Sequence, residues 1–193
     1  HAFSQWMTTS GETVYEETTH QGVLRHLYIR EGSSTGERMV CIVANSDRLK
    51  QEDRLVECLK NSVPGLKSIV LNVNREKTNV ILGKQFRTLW GADTITDTLC
   101  GLSFQIAPAS FYQVNREQAE RLYQIAGSYA ALTGEEVLLD LYCGTGTIGL
   151  TMAHAAKQLI GVEIVPEAIE NAKENAKRNG ISNSEFLCGD AAK

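Results

Sequence analysis

No run of about 18 consecutive apolar residues occurs in the chain, so no segment reads as a membrane-spanning helix. The start, His1-Ala-Phe-Ser-Gln-Trp6, lacks a basic stretch followed by an apolar core and does not read as a signal peptide. It opens on His1 and not on an initiator methionine, so a missing natural N-terminus is expected. Cys41, Cys58, Cys100, Cys143 and Cys188 are odd in number and scattered, with no C-x-x-C pair. That argues against a disulfide framework or a zinc site and for a reducing cytoplasm. His20, His26 and His154 are isolated, and no metal is expected from them. No internal repeat and no low-complexity segment stands out.

A positive charge excess is also missing. The net charge is −4. Residues 1–108 hold 12 basic and 12 acidic residues, and residues 109–193 hold 7 and 11. Bulk charge therefore marks neither part as a nucleic-acid binder. What is present is ordinary for a globular protein with a core: 193 residues, 42% apolar and 22% charged. That length suits one large domain or two small ones.

The first part alternates strands with one helix. Residues 12–18, 23–30 and 37–43 carry β-branched and aromatic side chains, and Glu31-Gly-Ser-Ser-Thr-Gly36 marks a hairpin between the last two. Asp47 opens a helical pattern that Asn61, Pro64 and Gly65 end. Residues 66–73 read as a strand, and short strands are expected over 78–82, 86–90, 94–97 and 102–106. Pro108 marks the expected boundary between a 1–108 α+β region and a 109–193 domain.

Beyond Pro108 the pattern becomes α/β. Asn115-Arg-Glu-Gln118 has capping-box spacing, and Ala119, Leu122, Tyr123 and Ala126 then recur at helical spacing. Residues 136–142 (E-V-L-L-D-L-Y) form a nearly continuous apolar run, expected of a parallel strand buried on both faces. A helix over 147–156, a strand over 158–163, a helix entered at Pro166 and ended by Gly180, and a strand over 185–188 follow. Repeated strand–helix units predict a parallel, doubly wound sheet. Three parallel strands are few for such a fold, so the chain is expected to be a fragment.

Gly144-Thr-Gly146-Thr-Ile-Gly149 satisfies G-x-G-x-x-G between a strand and a helix. Nucleotide dehydrogenases share that pattern, so Asp140, near the strand end, decides between ligands. A carboxylate beside the loop repels a diphosphate and attracts the ammonium and sulfonium of S-adenosylmethionine (SAM). Glu163, at the tip of the next strand, suits both hydroxyls of a ribose. Asp190, after the third strand, is placed to receive an adenine amino group, with Ala191 offering a backbone N–H. The blander alternatives are a tight turn for Gly144 and Gly146, a helix cap for Asp140 and a solvated loop acid for Glu163.

Ser110-Phe-Tyr-Gln-Val-Asn115, Asp140-Leu-Tyr-Cys-Gly-Thr-Gly-Thr147 and Gly161-Val-Glu-Ile164 together resemble the RumA/TrmA-type RNA uracil-C5 methyltransferases. Ala168-Ile-Glu-Asn-Ala172, Phe186-Leu-Cys-Gly-Asp-Ala191, Val23-Leu-Arg-His-Leu27 and Thr35-Gly-Glu-Arg-Met39 extend the resemblance over nearly the whole chain. It implies the first half of a Rossmann-like SAM-methyltransferase sheet preceded by a smaller α+β domain that helps position RNA. It implies SAM contacts by Gln113 and Tyr142, and ribose binding by Glu163. In that family a cysteine adds to uracil C6, C5 takes the methyl, and a glutamate removes the C5 proton. Those two groups are expected beyond Lys193, so this chain is expected to be inactive alone. The implied partner is RNA, ribosomal (23S) before transfer RNA, with no membrane and no protein partner. Its phosphates would need a local basic patch or residues outside this chain. A methyltransferase with another substrate, a non-catalytic RNA-binding module and a nicotinamide oxidoreductase are the rival readings.

Overall fold

A computed structural model describes residues 1–192. The chain forms two compact units. The first comprises His1–Gly32, Gly36–Ile95 and Ala107–Ala109; the second holds Ser33–Thr35, Thr96–Ile106 and residues from Ser110 on.

The first unit is a four-stranded sheet with two helices on one face. The strands are β1 (Leu24–Glu31), β2 (Arg38–Ala44), β3 (Leu66–Val73) and β4 (Gln85–Gly91), paired in the order β1-β2-β3-β4. β2 and β3 run parallel and the outer pairs antiparallel. The helices are α1 (Ala2–Ser10) and α2 (Glu52–Ser62). Val40, Ile42, Ile69 and Leu71 alternate toward them and are closed over by Leu55 and Trp6.

Four details differ from the sequence pattern. α1 was not expected, although Phe3, Trp6 and Met7 have helical spacing and Gly11 ends the helix at φ 65°. The fully buried Trp6 ring anchors it, with Nε1 donating to Gln51 O at 3.2 Å. Residues 12–18 form only isolated bridges, Val14 to Leu24 and Glu16 to Gln21, around a turn with His20 at φ 57°. The second helix starts at Glu52 and not at Asp47, because Ser46 Oγ accepts from Arg48 N–H and holds a turn first. Residues 78–82 are a loop and not a strand. The carbonyls of Thr78, Val80 and Ile81 accept from the Arg25 and Asn74 side chains.

The second unit begins with the hairpin β5 (Ile95–Leu99) and β6 (Leu102–Ile106), followed by α3 (Arg116–Ala130). Then come β7 (Val137–Leu141), α4 (Thr147–Met152), β8 (Gln158–Glu163), α5 (Pro166–Arg178) and β9 (Ser184–Cys188). The parallel sheet has the order β7-β8-β9, with Asp140 opposite Gly161 and Val162 opposite Leu187. Asn115 caps α3 by accepting from Gln118 N–H at 3.2 Å, as its spacing predicts.

The chain leaves the first unit at Ile95–Thr96, returns to it for Ala107–Ala109 around Pro108, and continues in the second unit from Ser110. The reason is packing: Leu99 and Phe104 are buried in one cluster with Tyr123, Leu159, Ile169 and Phe186. β7 also departs from its apolar run. Among the described residues only one of its faces is covered, and Val137, Leu139 and Leu141 stand 50%, 59% and 50% exposed. No helix among the described residues is long and apolar enough to cross a membrane.

Candidate functional site

The site lies at the carboxyl ends of β7, β8 and β9, where parallel sheets of this kind receive ligands. The chain leaves β7 through a tight turn. Tyr142, Gly144 and Gly146 all adopt positive φ, at 65°, 55° and 81°. Tyr142 is the unusual one, since a side chain disfavours that conformation. The turn holds it through Cys143 N–H donating to Val162 O at 3.0 Å and Gly146 N–H donating to Cys143 O at 2.8 Å. The Tyr142 ring is thereby left 69% exposed beside the loop.

Each glycine answers a different demand. A Cβ on Gly144 would meet nothing within 4 Å, so the backbone there is open to a ligand. A Cβ on Gly146 would press on Leu150 and the Phe186 ring at 3.1 and 3.2 Å. A Cβ on Gly149 would lie 2.7 Å from Leu159 Cδ1 and 2.8 Å from Asp140 Oδ2. The third glycine therefore exists to admit the Asp140 carboxylate against α4.

Asp140 Oδ2 accepts from Gly149 N–H at 2.9 Å. One oxygen thus does what the helix-cap alternative supposed, and no donor among the described residues meets Oδ1. Burial raises the carboxyl above its ordinary value, and the Gly149 N–H works against that rise. A half-buried carboxylate with one oxygen unmatched is suited to a cationic ligand.

Glu163 is tied to the same turn. Its Oε2 accepts from Gly144 N–H at 3.2 Å and its Oε1 from Val165 N–H at 3.0 Å. Each oxygen keeps a lone pair for a hydroxyl. Gly189 N–H donates to Glu163 O at 3.0 Å, which brings the end of β9 alongside. Asp190 follows on the surface and accepts from Ala192 N–H at 3.0 Å. Gln113 is half-buried in the segment before α3, and its side chain makes no hydrogen bond among the described residues. Among the described residues no cluster of three or more His, Cys, Asp or Glu could hold a metal.

The sequence pattern missed two positioning residues. Asp97 is fully buried and accepts from Ser34 N–H at 2.8 Å and from Tyr112 OH at 3.3 Å, which anchors the segment carrying Gln113. Asn175 is also fully buried; its Oδ1 accepts from Gln105 N–H at 3.0 Å and its Nδ2 donates to Thr145 O at 3.1 Å. It couples the glycine turn to β6. Asn171 and Asn175 on α5 and Asn179 just past its end recur every four residues, a spacing that was visible as a signal. Asn175→Ala removes the partner of the buried Thr145 carbonyl and of the partly buried Gln105 N–H. An expected loss of about 1 to 2 kcal/mol follows, measurable by urea unfolding.

Cys143 sits in this turn, buried against it. Burial, reinforced by the negative charges of Asp140 and Glu163, pushes its thiol up to about 12. Alkylation by iodoacetamide at mildly alkaline pH should modify the exposed Cys188 first and leave Cys143 intact; mass spectrometry of the digested protein reads this directly.

Comparison with known proteins bears on the fold and on what the chain is similar to. Residues 132–193 match a family model described as a methyltransferase domain. An "uncharacterized RNA methyltransferase" of Staphylococcus epidermidis is 47% identical over 186 residues, which are 96% of this chain and 41% of that protein. Another of the same description, from Clostridium acetobutylicum, is 46% identical over 185 residues, covering 96% and 40%. The chain therefore spans about two fifths of the length of these curated relatives. Among solved structures, a Pyrococcus abyssi tRNA (uracil-54, C5)-methyltransferase in complex with S-adenosyl-L-homocysteine superposes with a TM-score of 0.82 at 28% identity. It covers 100% of this chain and 46% of that one. The fold of the second unit is that of a Rossmann-like methyltransferase domain.

Proposed function

We propose that this chain is the cofactor-binding part of a SAM-dependent RNA methyltransferase that methylates uracil at C5. The observation that carries the cofactor reading is Asp140. It places a half-buried carboxylate, with Oδ1 unmatched, beside an open glycine turn. The residues fit SAM better than a dinucleotide, because a diphosphate in that turn would face a negative charge. When bound, SAM supplies an electrophilic methyl group on its sulfonium.

This chain's own residues bind and orient. Asp140 attracts the ammonium and sulfonium charges. Glu163 accepts the ribose hydroxyls while fixing the Gly144 backbone. Asp190 receives the adenine amino group, and the Ala191 N–H meets the ring. Gln113 and Tyr142 add further cofactor contacts, with the Gln113 segment held through Tyr112 and Asp97. The first unit helps to position RNA.

Uracil C5 is a poor nucleophile until a thiolate adds at C6. Burial disfavours the thiolate of Cys143 and of Cys41, whose thiol is raised to about 11. The family resemblance, and not an elimination among the cysteines of this chain, assigns the attacking cysteine and the base that removes the C5 proton to positions outside these residues; on that reading this chain alone performs no turnover. The sequence resemblance favours 23S ribosomal RNA as substrate, while the P. abyssi neighbour is a tRNA enzyme.

Equilibrium dialysis with labelled SAM tests the reading. Weak binding is expected, with Kd about 100 μM or higher, and no methyl transfer to ribosomal or transfer RNA transcripts. Transfer to uridine by this chain alone would overturn the assignment of the nucleophile. Absence of any SAM binding would overturn the cofactor reading.

A further inference from the structure

An enzyme acting on RNA needs local positive charge when its bulk charge is negative. One stretch of the first unit supplies it. The segment between β3 and β4 reads Asn74-Arg-Glu-Lys-Thr-Asn-Val-Ile-Leu-Gly-Lys84, and residues 75–81 are all exposed.

Exposed loops are usually loose, but this one is held from within. The Arg25 side chain is 1% exposed, and its guanidinium donates to the carbonyls of Asn74, Glu76 and Thr78 at 3.1, 2.7 and 2.9 Å. Its charge is answered by the Tyr15 ring at 4.4 Å and by Glu17 at 3.6 Å. On the other side Asn74 Nδ2 donates to Val80 O and Ile81 O at 2.7 and 3.0 Å. Asn72 clasps Gly83, donating to its carbonyl at 2.9 Å and accepting from its N–H at 2.7 Å. The loop is ordered before any partner arrives, so binding to it sacrifices little conformational entropy.

The fixed loop presents a mixed surface. Lys77 and Lys84 meet no acidic side chain among the described residues, whereas Arg38, Lys60 and Arg87 each sit in an ion pair. Arg75 pairs with Asp47 at 3.3 Å, but both side chains are more than half exposed. Such a pair is worth little and exchanges readily for a phosphate. Between these cations Val80 and Ile81 stand 60% and 51% exposed. Apolar side chains gain nothing from the phosphate-lined outside of a duplex, but they can cover unstacked bases and ribose.

We propose that the loop of residues 75–84 is a preformed contact for single-stranded RNA. Lys77, Lys84 and Arg75 take phosphates, and Val80 and Ile81 lie against bases or ribose. This rests on the RNA reading given above and assigns that reading a specific segment.

Fluorescence anisotropy with a labelled, unstructured uridine-rich RNA tests it across a salt series. Lys77→Ala with Lys84→Ala should weaken binding by about 20-fold at 0.1 M monovalent salt. The same pair should lower the slope of log K against log salt by about 1.4, at about 0.7 per phosphate contact. Val80→Ser with Ile81→Ser should weaken binding and leave the slope alone. Both pairs should bind SAM as the unmodified chain does. Unchanged RNA affinity and slope without the two lysines would overturn the loop and leave the RNA reading standing. Absence of RNA binding by the unmodified chain would overturn both. Polyglutamate competing as well as RNA would point to an acidic protein partner and overturn the proposal.

Discussion

Asp140→Asn is expected to weaken SAM binding by about ten- to hundredfold, the worth of a hydrogen bond to a charged group at 1.5 to 3 kcal/mol. Asparagine can still accept from Gly149 N–H, so the turn and α4 keep their geometry and only the charge is removed. Adenosine lacks the ammonium and the sulfonium, and its affinity should stay within about twofold of the unmodified chain's, far inside the loss expected for SAM. Calorimetric titration with both ligands separates the two. Equal losses for SAM and adenosine would mean that Asp140 only shapes the turn.

The same substitution has a pH signature. Burial raises the Asp140 carboxyl above its ordinary value of 3.8 in the folded chain. The folded state then holds this proton more tightly than the unfolded state. Stability therefore falls as pH climbs from the ordinary carboxylate value through the raised one, and is flat above it. Asp140→Asn should abolish that fall. A bound cation favours the ionised form, so SAM affinity should decline as pH drops through the same window.

Phe186→Ala is expected to cost about 3 to 5 kcal/mol, the range for emptying a buried aromatic site. Phe186 is 6% exposed on β9, and its ring lies over Gly161 and Gly146. A Cβ added to Gly161 would come within 2.5 Å of that ring and 3.0 Å of Cys143 Sγ. Gly161→Ala alone should therefore overpack by about 1 to 3 kcal/mol. In the Phe186→Ala background part of that strain should vanish, because the new methyl enters the space the ring left. A double-mutant cycle by urea unfolding reads the coupling. Strict additivity would show that the ring does not rest on Gly161.

The elements with local signals were legible. β3, β6 and β8 fall on the residues their apolar runs predict, since turn residues bracket each run. α3 begins where Asn115 offers its cap. The segment over 78–82 misled because Val80, Ile81 and Leu82 look like a strand. Its backbone acceptors are taken by side chains instead of a neighbouring strand: Thr78 O by Arg25, more than fifty residues away, and Val80 O and Ile81 O by Asn74, and apolar alternation alone does not reveal that competition. The placement of residues 96–106 in the second unit was hidden similarly: Leu99 and Phe104 join its core through tertiary packing.

The candidate site was legible in part for the same reason. Asp140, Gly144, Gly146 and Glu163 stand at strand ends, where position in the repeat is enough to nominate them. In the structure Glu163, at the end of β8, accepts from Gly144 in the turn, and Asp140, on β7, accepts from Gly149 just beyond it. What sequence pattern could not supply is the set of groups acting at a distance. Asp97 reaches Tyr112, and Asn175 bridges Gln105 and Thr145. Each is a buried polar residue with its bonds satisfied only by the fold.

Parallel calorimetric titrations of the unmodified chain with SAM and with NAD test the central claim most directly. With a carboxylate beside the glycine turn, SAM should bind at least about tenfold more tightly than NAD, a difference of about 1.4 kcal/mol. NAD binding as tightly as SAM, or more so, would show that the turn receives a diphosphate and would contradict the role given to Asp140.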